Sequence, residues 1–141
     1  ISPQPPDTYL VDDAGRRGPL PADAAFVVLG DLNADPARAA EDYGTPAITR
    51  LLNHPRIQDP AQRSAGALGK NPPGPPYFLE RKTCDFGRID YALPSKNLEI
   101  VGGGVFWPGA NEPGRELVAG KRRSSDHRMV WVDVCRPPHK D

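Results

Sequence analysis

The sequence predicts a mixed α/β (α+β) fold from three observations. An apolar run at 25–29 ends in Gly30-Asp31-Leu32-Asn33, a helical pattern follows at 47–52, and clean period-two alternations lie at 88–93 and 128–134. The element order is therefore strand, helix, long loop and three strands. With 141 residues the chain suits one domain, which can bury roughly two thirds of its unfolded surface. Because 18 Pro and 14 Gly stand against 38% hydrophobic residues, the core is expected to be small and the loops long.

Taken in order, residues 1–24 are rich in Pro, Asp and Gly. Only Tyr9-Leu10-Val11 offers a brief strand, before the turn at Asp12-Asp13-Ala14-Gly15, so an irregular surface segment is expected. The β-branched and aromatic residues at 25–30, bounded by a glycine, predict a strand buried on both faces. Alternation then puts Asp31 and Asn33 on one side and Leu32 on the other. Asp35-Pro36 predicts a helix start over Ala37 to Asp42. Thr45-Pro46 repeats that signature, with Ala47, Ile48, Leu51 and Leu52 at helical spacing for packing on a sheet and Pro55 closing the segment.

From Arg56 to Thr83 the chain is polar and broken, and Asn71-Pro72-Pro73-Gly74-Pro75-Pro76 forbids regular structure; so long a loop is usually functional or mobile. The next strand should place Ile89, Tyr91 and Leu93 on one face and Arg88, Asp90 and Ala92 on the other. Leu98 to Val101 and Val105 to Trp107 read as strand material interrupted by Gly102-Gly103-Gly104, the pattern of a bulge or close backbone approach. A second loop, 108–123, ends in Lys121-Arg122-Arg123. Ser124-Ser125-Asp126-His127 then leads into the last strand, where Val130, Val132 and Val134 share a face. The domain body is 25–135, with 136–141 a tail.

Charge is balanced, 18 basic against 18 acidic residues, so no net field marks a general nucleic-acid binder; nucleic acid is an open but unindicated partner. No apolar run reaches the ~18 residues of a membrane span. The opening Ile1-Ser2-Pro3-Gln4-Pro5-Pro6 starts no obvious element and reads as the continuation of something longer, or as a processed form complete as it stands.

The chemistry lies in three distant segments that each bring an acid, amide or imidazole to a strand terminus: Asp31 with Asn33, Asp90, and Asp126 with His127. Hydrolysis of a phosphate ester needs a cation on the phosphoryl oxygens, a base for water and a donor for the leaving oxygen. Carboxylate and amide oxygens suit Mg2+, and a histidine held by a carboxylate has a fixed tautomer and raised basicity.

Gly30-Asp31-Leu32-Asn33-Ala34-Asp35-Pro36, Arg88-Ile89-Asp90-Tyr91-Ala92-Leu93-Pro94-Ser95 and Ser125-Asp126-His127-Arg128 together resemble three successive signatures of the endonuclease/exonuclease/phosphatase superfamily, the deoxyribonuclease I-like fold. The resemblance covers about residues 25–134. It implies a four-layer sandwich of two facing, mostly antiparallel β-sheets flanked by helices, and hydrolysis of phosphate esters with Mg2+ or Mn2+. It further implies that Asp31 orients water or protonates the leaving group, Asn33 hydrogen-bonds the phosphate, Asp90 pairs with His127, and Asp126 helps hold the metal. The family's N-terminal half brings an asparagine and a metal-ligating glutamate, for which nothing before residue 25 is a match. The chain is thus expected to be a C-terminal portion whose partners are a phosphate-ester substrate and that N-terminal half, with little activity alone.

Other readings compete. Asp31 to Asp42 has the spacing of a calcium loop, but Pro36 stands where a glycine is needed. Asp31 and Asn33 could cap a helix, and His127 alone would be an ordinary half-buried histidine, the reading given to His54 and His139. Arg88 could bind a substrate oxygen or pair with Asp90; Lys121-Arg122-Arg123 is a solvated loop or a phosphate-steering patch. Trp107 and Trp131 are expected in the core. Cys84 and Cys135 are expected as free thiols, because Cys135 lies on the order of 20 Å along its strand from the Asp90/His127 end. The leading expectation is a metal-dependent phosphoesterase; the alternative is a non-catalytic fragment or binding module. Nuclease, nucleotide or inositol-phosphate phosphatase, and phospholipid phosphodiesterase all share these signatures, and the balanced charge argues only mildly against a duplex-DNA enzyme.

Overall fold

The computed structural model describes residues 11–37, 47–69, 81–121 and 123–135. Their elements are β1 (Val27–Asp31), α1 (Ala47–Leu52), a 3-10 turn (Gly66–Gly69), β2 (Asp90–Pro94), β3 (Glu99–Val105), α2 (Arg115–Val118) and β4 (Val130–Cys135). β1 pairs antiparallel with β2, and β3 with β4, so this mixed α/β chain holds two small antiparallel sheets and few helices. No helix among the described residues is long and apolar enough to cross a membrane.

Each sheet has its own apolar cluster. Ile48, Leu51 and Leu52 recur on one side of α1 and pack with Ile57, Tyr91 and Leu93, joined by Phe26, Val28 and Leu32. α1 ends where Pro55 approaches, since the residue before a proline disfavours helical backbone. The second cluster gathers Ala67, Val105, Trp107 and Val118, with Phe106 and Val130 against it. Between them, the buried Gln62 donates from Nε2 to the Ala92 carbonyl at 2.9 Å.

Several expectations are corrected. β1 is not buried on both faces: Val28 joins the first cluster, but Leu29 is 68% exposed. Alternation puts Leu29 on the face opposite Val28, away from the first cluster. The three glycines lie within β3 rather than interrupting a strand, but the expected bulge is there as a register shift between Ile100 and Gly102, and Gly104 makes the expected close approach, to Trp131. Phe106 and Trp107 lie beyond it. Trp107 is buried, but Trp131 is 40% exposed, because alternation along β4 turns it outward, over its cross-strand partner Gly104.

The loop after α1 is also more structured than its composition indicates. Ile57 is buried and bridges Ser95, and Gly66 donates to the Trp107 carbonyl at 2.9 Å. The second loop contains the single turn of α2. Asp35 bonds the Ala37 amide at 2.9 Å, as a helix-starting turn would, but residues 38–46 lie outside the described residues. So do Tyr9 and Leu10, the prolines at 72–76, Arg122, His139 and the tail.

Candidate active site

The last rung of the β1–β2 ladder sets Asp31 directly opposite Asp90. Like charges in facing positions repel, so this rung calls for a cation. A titratable imidazole is supplied from the other sheet. The segment leading into β4 carries His127, whose Nδ1 lies 3.0 and 3.1 Å from the two carboxylate oxygens of Asp90. A carboxylate at neutral pH only accepts, so Nδ1 carries the hydrogen and the Nε2 lone pair is left free. Asp90 opens β2 and His127 lies just before β4, so the pair bridges two sheets. Ligand atoms of Asp31, Asp90 and His127 all lie within 4.8 Å of one another.

The pair is held from behind. The Thr83 hydroxyl accepts the Ile89 and Asp90 amides, each at 3.0 Å, and the Thr83 carbonyl accepts the Arg128 amide at 2.7 Å. Asp35 reaches the Arg88 amide at 3.1 Å, and Gly87 is needed there because a Cβ would collide with the Asp35 carboxylate. Arg128 lies over the Trp107 ring at 4.4 Å and donates to the carbonyls of Ser125, His127 and Val118 at 2.9 to 3.1 Å. This fixes the backbone on either side of the imidazole. The sequence reading missed Thr83, which sits in a polar stretch with no periodicity; Arg128 was visible only as the residue after His127.

Electrostatics separates this pair from its neighbours. The hydrogen bond to Asp90 raises the His127 pKa above its ordinary 6.5, opposed by desolvation and helped by the charges of Asp90, Asp31 and Asp126. Arg88, in contrast, pairs with Asp59 rather than Asp90, through both terminal nitrogens, and lies over the Tyr91 ring at 4.6 Å. Burial would raise Asp59, but Arg88, the Ala61 amide and Arg81 together hold it below its ordinary value. Burial pushes the Tyr91 hydroxyl pKa upward, and its single hydrogen is shared between the Ala34 and Arg88 carbonyls, whose oxygens lie at 2.6 and 2.9 Å.

The remaining candidates lie around this centre. Asn33 is exposed with a left-handed backbone (φ 49°), and its amide donates to Asp31 Oδ1 at 2.8 Å, so the Asp31 carboxylate also caps its own turn. Asp126 is exposed and not one of the three residues gathered within 4.8 Å. Of the basic triplet, Arg123 pairs with Asp85 at 2.9 Å, Lys121 is exposed and Arg122 lies outside the described residues. Cys84 is a buried free thiol whose backbone bridges that of His127, and Cys135 is a free thiol at the far end of β4.

Two carboxylates and an imidazole at the end of an antiparallel ladder are the donor types that phosphoester hydrolases assemble around a divalent cation. A family model described as the endonuclease/exonuclease/phosphatase family matches residues 1–127 of this 141-residue chain. The chain belongs to that family, whose members are hydrolytic nucleases and phosphatases acting with divalent metals on phosphate esters or nucleic acids. No curated protein and no solved structure matches it.

Proposed function

We propose that the chain is a metal-dependent phosphoesterase in which His127 and Asp90 form the acid–base pair and Asp31 acts beside them. The observation that carries this reading is the His127–Asp90 contact, with Nδ1 engaged, Nε2 free and Asp31 within ligand distance. The Asp31 and Asp126 carboxylates are hard oxygen donors that fit Mg2+ or Mn2+, with the imidazole kept off the cation as the base. Bound there, such a cation would neutralise phosphoryl oxygens and lower the pKa of water.

The chain's own residues supply the rest. Asp90 fixes the imidazole so that Nε2 can take a proton from the attacking water. Asp31 orients that water or protonates the leaving oxygen, and the exposed Asn33 side-chain amide donates to the phosphate. Asp126, next to His127 and exposed, lends a further carboxylate to the cation. Arg88 drops out as a substrate ligand in this reading, because Asp59 occupies its guanidinium.

The same reading takes residues 25–135 as part of a four-layer sandwich completed by an N-terminal half bearing a further asparagine and glutamate. The uncovered Leu29 on β1 supports it, being an apolar side chain that such a half would bury. Hydrolysis of a chromogenic phosphodiester and monoester tests the proposal, using Mg2+ or Mn2+, with the chain alone and joined to an upstream half. Activity lost on His127→Ala is the expected result. Full activity in the His127→Ala protein would remove the imidazole from the chemistry, and no activity in any form would leave a binding module that keeps the fold without the chemistry.

A further inference from the structure

The Asp90–His127 pair spans two sheets, so its geometry depends on whatever holds those sheets in register. Neither ladder does this, because each pairs strands within one sheet. Thr83 does. It is 1% exposed, and its hydroxyl accepts two consecutive amides at the start of β2, those of Ile89 and of Asp90 itself. Its carbonyl accepts the amide of Arg128, the residue after His127, and Cys84 next to it bridges His127 through the backbone. The Thr83 and Cys84 amides in turn share the Gly87 carbonyl at 2.9 and 3.1 Å, which closes the turn on itself. One buried residue therefore bonds the backbone of Asp90 and of Arg128, the residue next to His127.

We propose that Thr83 is the positioning residue of this site, setting the register between Asp90 and His127 and thereby the tautomer that leaves Nε2 free. The inference rests on the reading of that pair as acid and base. Two acceptor lone pairs on one hydroxyl meet two amides, a requirement that serine satisfies and valine cannot, although valine matches threonine in shape. With valine, two buried amides lose their acceptor and the start of β2 is released from the His127 segment.

The test is the imidazole nitrogen–proton NMR spectrum of the whole chain at mildly alkaline pH, in the parent, Thr83→Ser and Thr83→Val. The parent and Thr83→Ser should show His127 held with its hydrogen on Nδ1. In Thr83→Val that fraction should fall at least about twofold as the carboxylate loses its aim. A folded Thr83→Val chain with the parent spectrum would overturn the proposal.

Should valine prevent folding, amide hydrogen exchange on the parent decides. Ile89, Asp90 and Arg128 should exchange within about threefold of one another, since releasing Thr83 frees all three, and rates differing by more than about tenfold would overturn the proposal. Neither readout requires turnover. A chain whose tautomer follows Thr83 but which hydrolyses nothing would defeat the phosphoesterase reading and leave the positioning role intact.

Discussion

β2 and the residue two places before it carry two charged pairs of opposite design. Arg88 and Asp59 have side chains 5% and 20% exposed, whereas His127 and Asp90 are 35% and 16% exposed. The larger difference is saturation. Asp59 receives Arg88, Arg81 and the Ala61 amide, while among the described residues the Asp90 carboxylate receives only the imidazole. A saturated carboxylate with permanent cations fixes structure, and an unsaturated one beside a titratable cation keeps capacity for a proton, a metal or a substrate. The two pairs should therefore fail differently.

The widest separation is expected in activity. His127→Ala should lower phosphoester hydrolysis by about 10²- to 10⁴-fold while leaving the far-ultraviolet circular dichroism unchanged. Next comes stability: Arg88→Met leaves Asp59 with fewer partners in a largely buried place and should cost about 3 kcal/mol in urea denaturation, against roughly 0.5 kcal/mol for His127→Ala. Equal costs for the two would erase the distinction. Gly87→Ala should cost about 1–2 kcal/mol, because the new methyl displaces Asp35 from the Arg88 amide; with Asp35→Ala already in place the added cost should shrink.

The smallest effect is in pH, where the pairs should act in opposite windows. His127 is raised, so its contribution is complete below its ordinary 6.5 and fades as pH climbs through the higher folded value. Asp59 is lowered, so its contribution is complete above its ordinary 3.8 and fades as pH falls through the lower folded value. In stability measured against pH, Asp59→Asn should flatten the acid limb alone, and His127→Gln the limb above 6.5 alone. Interchanged limbs would refute the assignment.

What the sequence revealed follows the same division. α1, β2 and β4 were legible because their packing is periodic: Ile48, Leu51 and Leu52 on a helix, Tyr91 and Leu93 on a strand, and the alternating valines of β4. The meeting of Asp90 and His127 was legible only through resemblance, since no local rule joins residues 37 apart. The partner of Arg88 was not legible, because Asp59 lies in an aperiodic loop and alternation pointed to Asp90 instead. Leu29 and Trp131 were misplaced for a related reason: a strand's pattern says which residues share a face, but what covers that face belongs to the rest of the fold.

The bridging of two sheets by one histidine also bears on when the site comes into being. His127 lies beyond both strands of the first sheet, so Asp31 and Asp90 reach the outside of the ribosome well before it, at roughly 5–20 residues per second. A nascent chain stopped before His127 can pair β1 with β2, yet it holds only two repelling carboxylates. Closing the site requires contacts between distant parts of the chain, the slow part of most folding reactions. On the phosphoesterase reading, hydrolytic competence arrives as one late event, and a chain lacking His127 is inert.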